Sequence, residues 1–198
     1  MSFTISTEWL FVAGLAFAVL AVGFWLAWPR YLALRERRRR RKLLASLSVD
    51  LLHDVAVADG VGGYFHVDYL LLTPRGVLLL DFWDVVGNVF GSDPMTDWTV
   101  TRTGQRHTFP NPQAALYDHL ASLRAALGNV PVEGRIVFAD TATFPKGMPR
   151  FTLIESQLGS EFFFGERHLA ERAVDPWRDA WESLKGALRP SIEPHRSM

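Results

Sequence analysis

Twenty uncharged, almost wholly apolar residues run without interruption from Trp9 to Trp28 (WLFVAGLAFAVLAVGFWLAW). As a helix they would reach roughly 30 Å, enough for one bilayer crossing. Trp9, Trp25 and Trp28 mark its ends, where indole rings favour the headgroup level, and Pro29 stands where the helix can kink or stop. From Tyr31 to Leu47 the pattern turns helical, with Leu43, Leu44 and Leu47 on one face that should dock on the domain beyond. Short apolar runs of strand length follow at residues 53–57, 64–73 and 77–83, the last two joined by a tight turn at Pro74-Arg75-Gly76.

Gly87, Gly91 and Pro94 read as a loop, and residues 98–102 alternate like an exposed strand. Asn111 caps a helix, Pro112 takes its first position, and Leu116, Leu120, Leu123 and Leu127 recur at spacings of four, three and four before Gly128 ends it. Residues 135–139 predict a short buried strand and 151–154 another. A last helix opens at Asp175-Pro176 and buries Trp177, Trp181, Leu184 and Leu188. The succession predicts a mixed α/β sandwich around a central sheet. It divides the chain into a short tail (1–8), a transmembrane helix (9–28), a basic juxtamembrane helix (29–48) and one domain (49–198).

Charge sharpens this division. The 198 residues balance 21 basic against 21 acidic side chains, but eight of the cations (Arg30, Arg35, Arg37, Arg38, Arg39, Arg40, Arg41 and Lys42) crowd one short stretch. Residues 43–198 are left at a net charge of −6, which excludes a globally basic nucleic-acid binder. Cations directly after the apolar span, with only Glu8 before it, place the amino terminus outside and the domain in the cytoplasm, on the inner face of the cell membrane. The same cations, Arg37 to Lys42 above all, suit anionic lipid headgroups. The absence of cysteine excludes disulfide scaffolds and thiolate zinc sites.

Candidate chemistry sits in the two apolar runs. FHVDYLLL carries Asp68 and VLLLDFW carries Asp81. A carboxylate in such surroundings needs a partner, because an uncompensated buried charge costs of order 3 kcal/mol or more. Brought together at a sheet edge, the two would offer hard oxygen ligands to Mg²⁺; alternatively they cap turns or pair with arginines. His66, two positions before Asp68 on the same strand face, suits a metal ligand or a strand-edge hydrogen bond. His53, His107, His119 and His168 show no ligand spacing, and the Gly60, Gly62, Gly63 loop lacks the lysine and following helix of a phosphate loop. Phe162, Phe163 and Phe164 offer either a partner surface or core.

The segment HVDYLLLTPRGVLLLDFWDVVGNVFG, then Trp98, then PNPQAALYDHLASLRAAL, resembles the nuclease-related domain (NERD) family, a branch of the PD-(D/E)xK nucleases. Asp68 matches the family's first acid, Gly76 its turn, Asp81 its second acid, Gly87 and Gly91 its loop, and Asn111-Pro112 its helix start. The resemblance covers about residues 50–140. It implies a restriction-endonuclease-like α/β fold, a central mixed sheet flanked by helices, and Mg²⁺-dependent cleavage of a phosphodiester with Asp68 and Asp81 holding the metal.

Three departures from the pattern bear on activity. Trp83 stands where the family has the lysine expected to position water and stabilise developing charge, a role that an indole N–H cannot fill. Asp replaces the usual Glu at position 81, and the first-helix acid has no counterpart beyond Glu36 in the arginine run. Lys146 and Lys185 lie outside the matched strands, and Arg75 and Arg102 hold their protons too firmly to act as bases. Three readings follow: a membrane-anchored, catalytically impaired nuclease homologue that binds nucleic acid or a protein partner; a divergent active Mg²⁺ nuclease; and a tethered binding module unrelated to nucleases.

Overall fold

The computed structural model describes the backbone of residues 7–190 and the side chains of residues 20–190. Two compact units emerge, Met1–Leu43 and Leu44–Met198. The helix α1, Thr7–Ser46, continues through Pro29, so the proline neither ends nor divides it. Among the described residues no helix is long and apolar enough to cross a membrane. The span expected over 9–28 therefore has no support there, and the side chains of 9–19, like the tail up to residue 6, lie outside the described residues. Within the first unit Glu36 pairs with Arg39 at 3.5 Å, an exposed pair one turn apart.

The second unit is built on a six-stranded mixed sheet. Its strands are β1 (Asp50–Ala58), β2 (Tyr64–Thr73), β3 (Gly76–Trp83), β7 (Val132–Phe138), β9 (Thr152–Ile154) and β10 (Arg189–Pro190), in the order β10-β1-β2-β3-β7-β9. β1, β2 and β3 pair antiparallel, while β7 and β9 run parallel to β3. A second sheet takes β4 (Gly87–Phe90), β5 (Asp97–Arg102), β6 (Gln105–Pro110) and β8 (Ala142–Thr143) in the order β6-β5-β4-β8. The helix α2, Pro112–Leu127, lies in the connection between β3 and β7; short helices α3 (Leu158–Glu161) and α4 (Arg167–Ala173) precede α5 (Arg178–Ala187).

Local chemistry explains these elements. β3 is buried at every position except the half-buried Asp81, as a central strand covered on both faces requires. Gly76 holds φ at 118° with the Pro131 carbonyl beneath it, a place where a Cβ has no room, so the β2–β3 turn needs glycine. In α2, Asn111 accepts from the Gln113 N–H, Gly128 closes the C-terminus, and Leu116, Leu120, Leu123 and Leu127 are buried as their spacing predicts. Leu44 and Leu47 are buried within the second unit.

Three expectations are corrected. The loop read at Gly87 and Gly91 contains the strand β4, paired with both β5 and β8. Its glycine at 91 has a packing reason, since a Cβ there would enter the Trp98 indole. The 98–102 strand is not an exposed edge: β5 lies between β4 and β6, with Trp98, Thr99 and Val100 buried. The last helix does not open at Asp175-Pro176: these residues form a single 3₁₀ turn in which Asp175 accepts from Arg178 Nε at 3.0 Å, and α5 begins at Arg178. Of the four apolar residues assigned to that helix, Trp181 and Leu184 are buried, whereas Trp177 and Leu188 are only partly so. Of the three phenylalanines, Phe162 is core and Phe163 is exposed.

Candidate functional site

The two carboxylates stand on neighbouring strands, but their surroundings differ. The β2–β3 ladder runs from Thr73↔Gly76 to Tyr69↔Leu80 and ends there. One residue further along β2, the buried Asp68 turns its carboxylate into the opening, and Oδ2 accepts the Phe82 N–H at 2.6 Å. A side-chain oxygen thus replaces the carbonyl that a continued ladder would have supplied, so a central-strand amide keeps its partner. The other oxygen, Oδ1, lies 2.9 Å from His66 Nε2. Both side chains are under a tenth exposed, and the pair resolves the burial problem that the sequence posed.

The β1–β2 ladder is interrupted at the same level. Pairing runs from Asp50↔Leu72 to His53↔Tyr69, skips Asp54 opposite Asp68, and resumes in unchanged register at Val55↔Val67. Asp54 adopts φ 53°, the left-handed region, which Asp tolerates better than most residues. The in–out alternation slips here in both strands. Leu70 and Leu72 contribute to the core cluster and so do Phe65 and Val67, leaving Asp68 and Tyr69 off it; in β1, Leu52, Val55 and Val57 do the same around His53 and Asp54. The ligand atoms of Asp54, His66 and Asp68 consequently gather within 4.8 Å of one another.

On β3 the chemistry is of another kind. Asp81 Oδ2 accepts from Trp83 Nε1 at 2.9 Å, the i+2 neighbour along the strand. Trp83 itself is 5% exposed. Its ring stacks on Phe109 at 5.1 Å and on Phe138 at 6.3 Å, and Trp98 extends the stack by meeting both phenylalanines. Position 83 is therefore filled by an aromatic side chain whose single donor is spent on Asp81.

Two of the described cations are engaged by other acids. Lys185 Nζ bonds Glu182 and Asp50, which hold its pKa above the ordinary 10.5. Arg75 makes a two-pronged bond to Glu133 at 2.8 and 3.0 Å. Asn111 and Gln113, at the family-like helix start, serve structure: Asn111 Nδ2 donates to the Met95 carbonyl, and the buried Gln113 donates to Asp93 Oδ1 and the Arg150 carbonyl. Gln113 Nε2 and the Arg150 N–H together hold the Asp93 carboxyl below its usual range. This node fastens the loop before β5 to α2 and to the approach to β9.

Whether these residues fit Mg²⁺ turns on how their carboxylate oxygens are engaged. Asp81 has one oxygen engaged by Trp83 and Asp68 one engaged by Phe82, so the face between the two offers a poor oxygen shell. Asp54, His66 and Asp68 form a better-gathered donor set, compatible with a divalent cation. Sequence reasoning weighed His66 but missed Asp54, which becomes a neighbour only through the β1–β2 register.

Residues 33–139 match the family model described as the nuclease-related domain, NERD. No curated protein and no solved structure matches the chain.

Proposed function

The chain belongs to the nuclease-related domain family, and from that premise we propose that it is a membrane-anchored member with impaired catalysis, acting as a module that binds nucleic acid or a protein. The observation that carries this reading is Trp83. The family pattern has a lysine there, a mobile cation beside the second acid. Here a buried indole is locked into an aromatic stack and donates to that same acid. It can neither orient an attacking water nor neutralise charge developing on a phosphate, contributions that removal of one electrostatic donor shows to be worth about 2.7–4 kcal/mol. The domain's net charge of −6 weighs the same way, since nothing global attracts a polyanion. The anchor rests on the apolar run 9–28 and the arginines after it, with the domain on the cytoplasmic side of the inner membrane.

The test uses the full chain in detergent micelles with single- and double-stranded DNA and either Mg²⁺ or Mn²⁺. Wild type should cleave no faster than Asp68→Ala. Cleavage that the Asp68→Ala substitution abolishes would overturn the proposal and favour a divergent active nuclease in which another group replaces the lysine.

A further inference from the structure

The geometry points to a transition-metal site made by Asp54, His66 and Asp68, displaced by one strand from the acid pair of the nuclease pattern and preferring Zn²⁺ to Mg²⁺. Three observations bring these residues together. Both ladders flanking the central strand β2 open beside Asp68, whose carboxylate enters the gap and accepts the Phe82 amide. The donor set is one imidazole nitrogen and two carboxylates from separate strands, all within 4.8 Å. Burial is graded: the His66 and Asp68 side chains are 8% and 5% exposed, whereas that of Asp54 is 65% exposed, so the cluster has a fixed wall and a movable, solvent-side ligand.

The ligand spacing is of the right order. With metal–ligand distances near 2.0–2.2 Å, adjacent ligand atoms around one ion lie roughly 3–3.5 Å apart. His66 Nε2 and Asp68 Oδ1, at 2.9 Å, are already near that separation. Rotation of the exposed Asp54 side chain closes the remainder. The imidazole decides the selectivity: Mg²⁺ demands an octahedron of oxygens and gives up water reluctantly, whereas Zn²⁺ accepts nitrogen and oxygen in a four-coordinate shell, with its last position open to solvent here. Asp68 is suited to both tasks at once, because Oδ2 is held by the Phe82 amide while Oδ1 faces His66. Asp81 takes no part, since Trp83 occupies it. This site does not depend on whether the chain cleaves nucleic acid.

The competing account is a hydrogen-bonded cluster of His66 and the carboxylates with no metal, and calorimetry separates the two. Untagged full-length chain in detergent, stripped with chelator, is titrated with Zn²⁺ and separately with Mg²⁺. One equivalent of Zn²⁺ should bind, and Mg²⁺ should bind far more weakly. His66→Gln and Asp54→Asn should each weaken Zn²⁺ by about tenfold or more, and Asp81→Asn should leave it unchanged. Asp54→Asn guards against a folding artefact, because its side chain is exposed. Absence of Zn²⁺ binding would overturn the site. So would loss of binding in Asp81→Asn with retention in His66→Gln, or loss in His53→Gln alone, which would place the ion between His53 and Asp54.

Discussion

Asp68 and Asp81 begin from nearly the same sequence circumstances and end in opposite ones. Each is a lone acid in an apolar run, on adjacent strands, and each is met by the side chain two residues away. For Asp68 that neighbour is His66, a polar group at a place where the backbone ladders have opened. For Asp81 it is Trp83, an indole committed to the core. One carboxylate joins a cluster of ligand atoms; the other becomes the hydrogen-bond acceptor that lets a tryptophan be buried. The difference teaches that in a strand the i±2 position, sharing a face, decides whether an acid is available for chemistry.

The sharpest way to break this comparison is to remove the aromatic side. Trp83→Ala should destabilise the domain by about 3–5 kcal/mol, the usual range for a large aromatic in a packed core, read from urea unfolding of the full chain. Restoring the family lysine with Trp83→Lys should destabilise comparably, because the ammonium would enter the Phe109–Phe138 stack. A Trp83→Lys protein as stable as wild type would mean that position 83 has ready access to water, and the contrast between the two acids would fail.

The second test weighs the two acids directly. Asp68→Ala removes the acceptor of the buried Phe82 N–H and the Oδ1 partner of His66, a loss of about 1–3 kcal/mol. Asp81→Asn retains an acceptor for Trp83 Nε1 and should cost under about 1 kcal/mol. Equal losses in the two variants, measured by thermal unfolding, would show that Asp68 is no more deeply built into the sheet than Asp81.

Much of this contrast is legible in the chain itself. The unbroken apolar run of β3, the Gly76 turn and the leucine spacing of α2 are local signals, and each is found where its physics requires. Asp68, Asp81 and Trp83 were singled out because charge in an apolar run, and an aromatic at a lysine's place, are anomalies that a single strand displays. Asp54 was not, because its significance lies in register: only pairing β1 with β2 sets it opposite Asp68, and no one-dimensional pattern carries that. The second sheet was misread for a related reason. Glycines such as Gly87 and Gly91 signal a loop in isolation, but they equally allow a strand to pack against an indole.

The smallest effect lies away from both acids, where α5 is fastened to β1, and it supplies a baseline for carboxylates in this domain. Burial would raise the Asp50 pKa, but hydrogen bonds from Trp181 Nε1 at 2.8 Å, Lys185 Nζ at 3.1 Å and the Leu51 amide outweigh it and hold the carboxyl below its ordinary 3.8. A carboxyl depressed in the folded state adds stability above pH 3.8 and loses it as pH falls through the folded value. Lys185, raised above 10.5, adds stability below that pH and loses it as pH climbs through its own folded value. The site is part-exposed, so solvent screening limits the gain to under about 1 kcal/mol. Asp50→Asn should therefore lower unfolding stability by a small amount near neutral pH, and the gap from wild type should narrow as pH falls below 3.8. A gap that persists undiminished at acid pH would show that the Asp50 carboxylate charge contributes nothing and that packing of Trp181 alone secures α5.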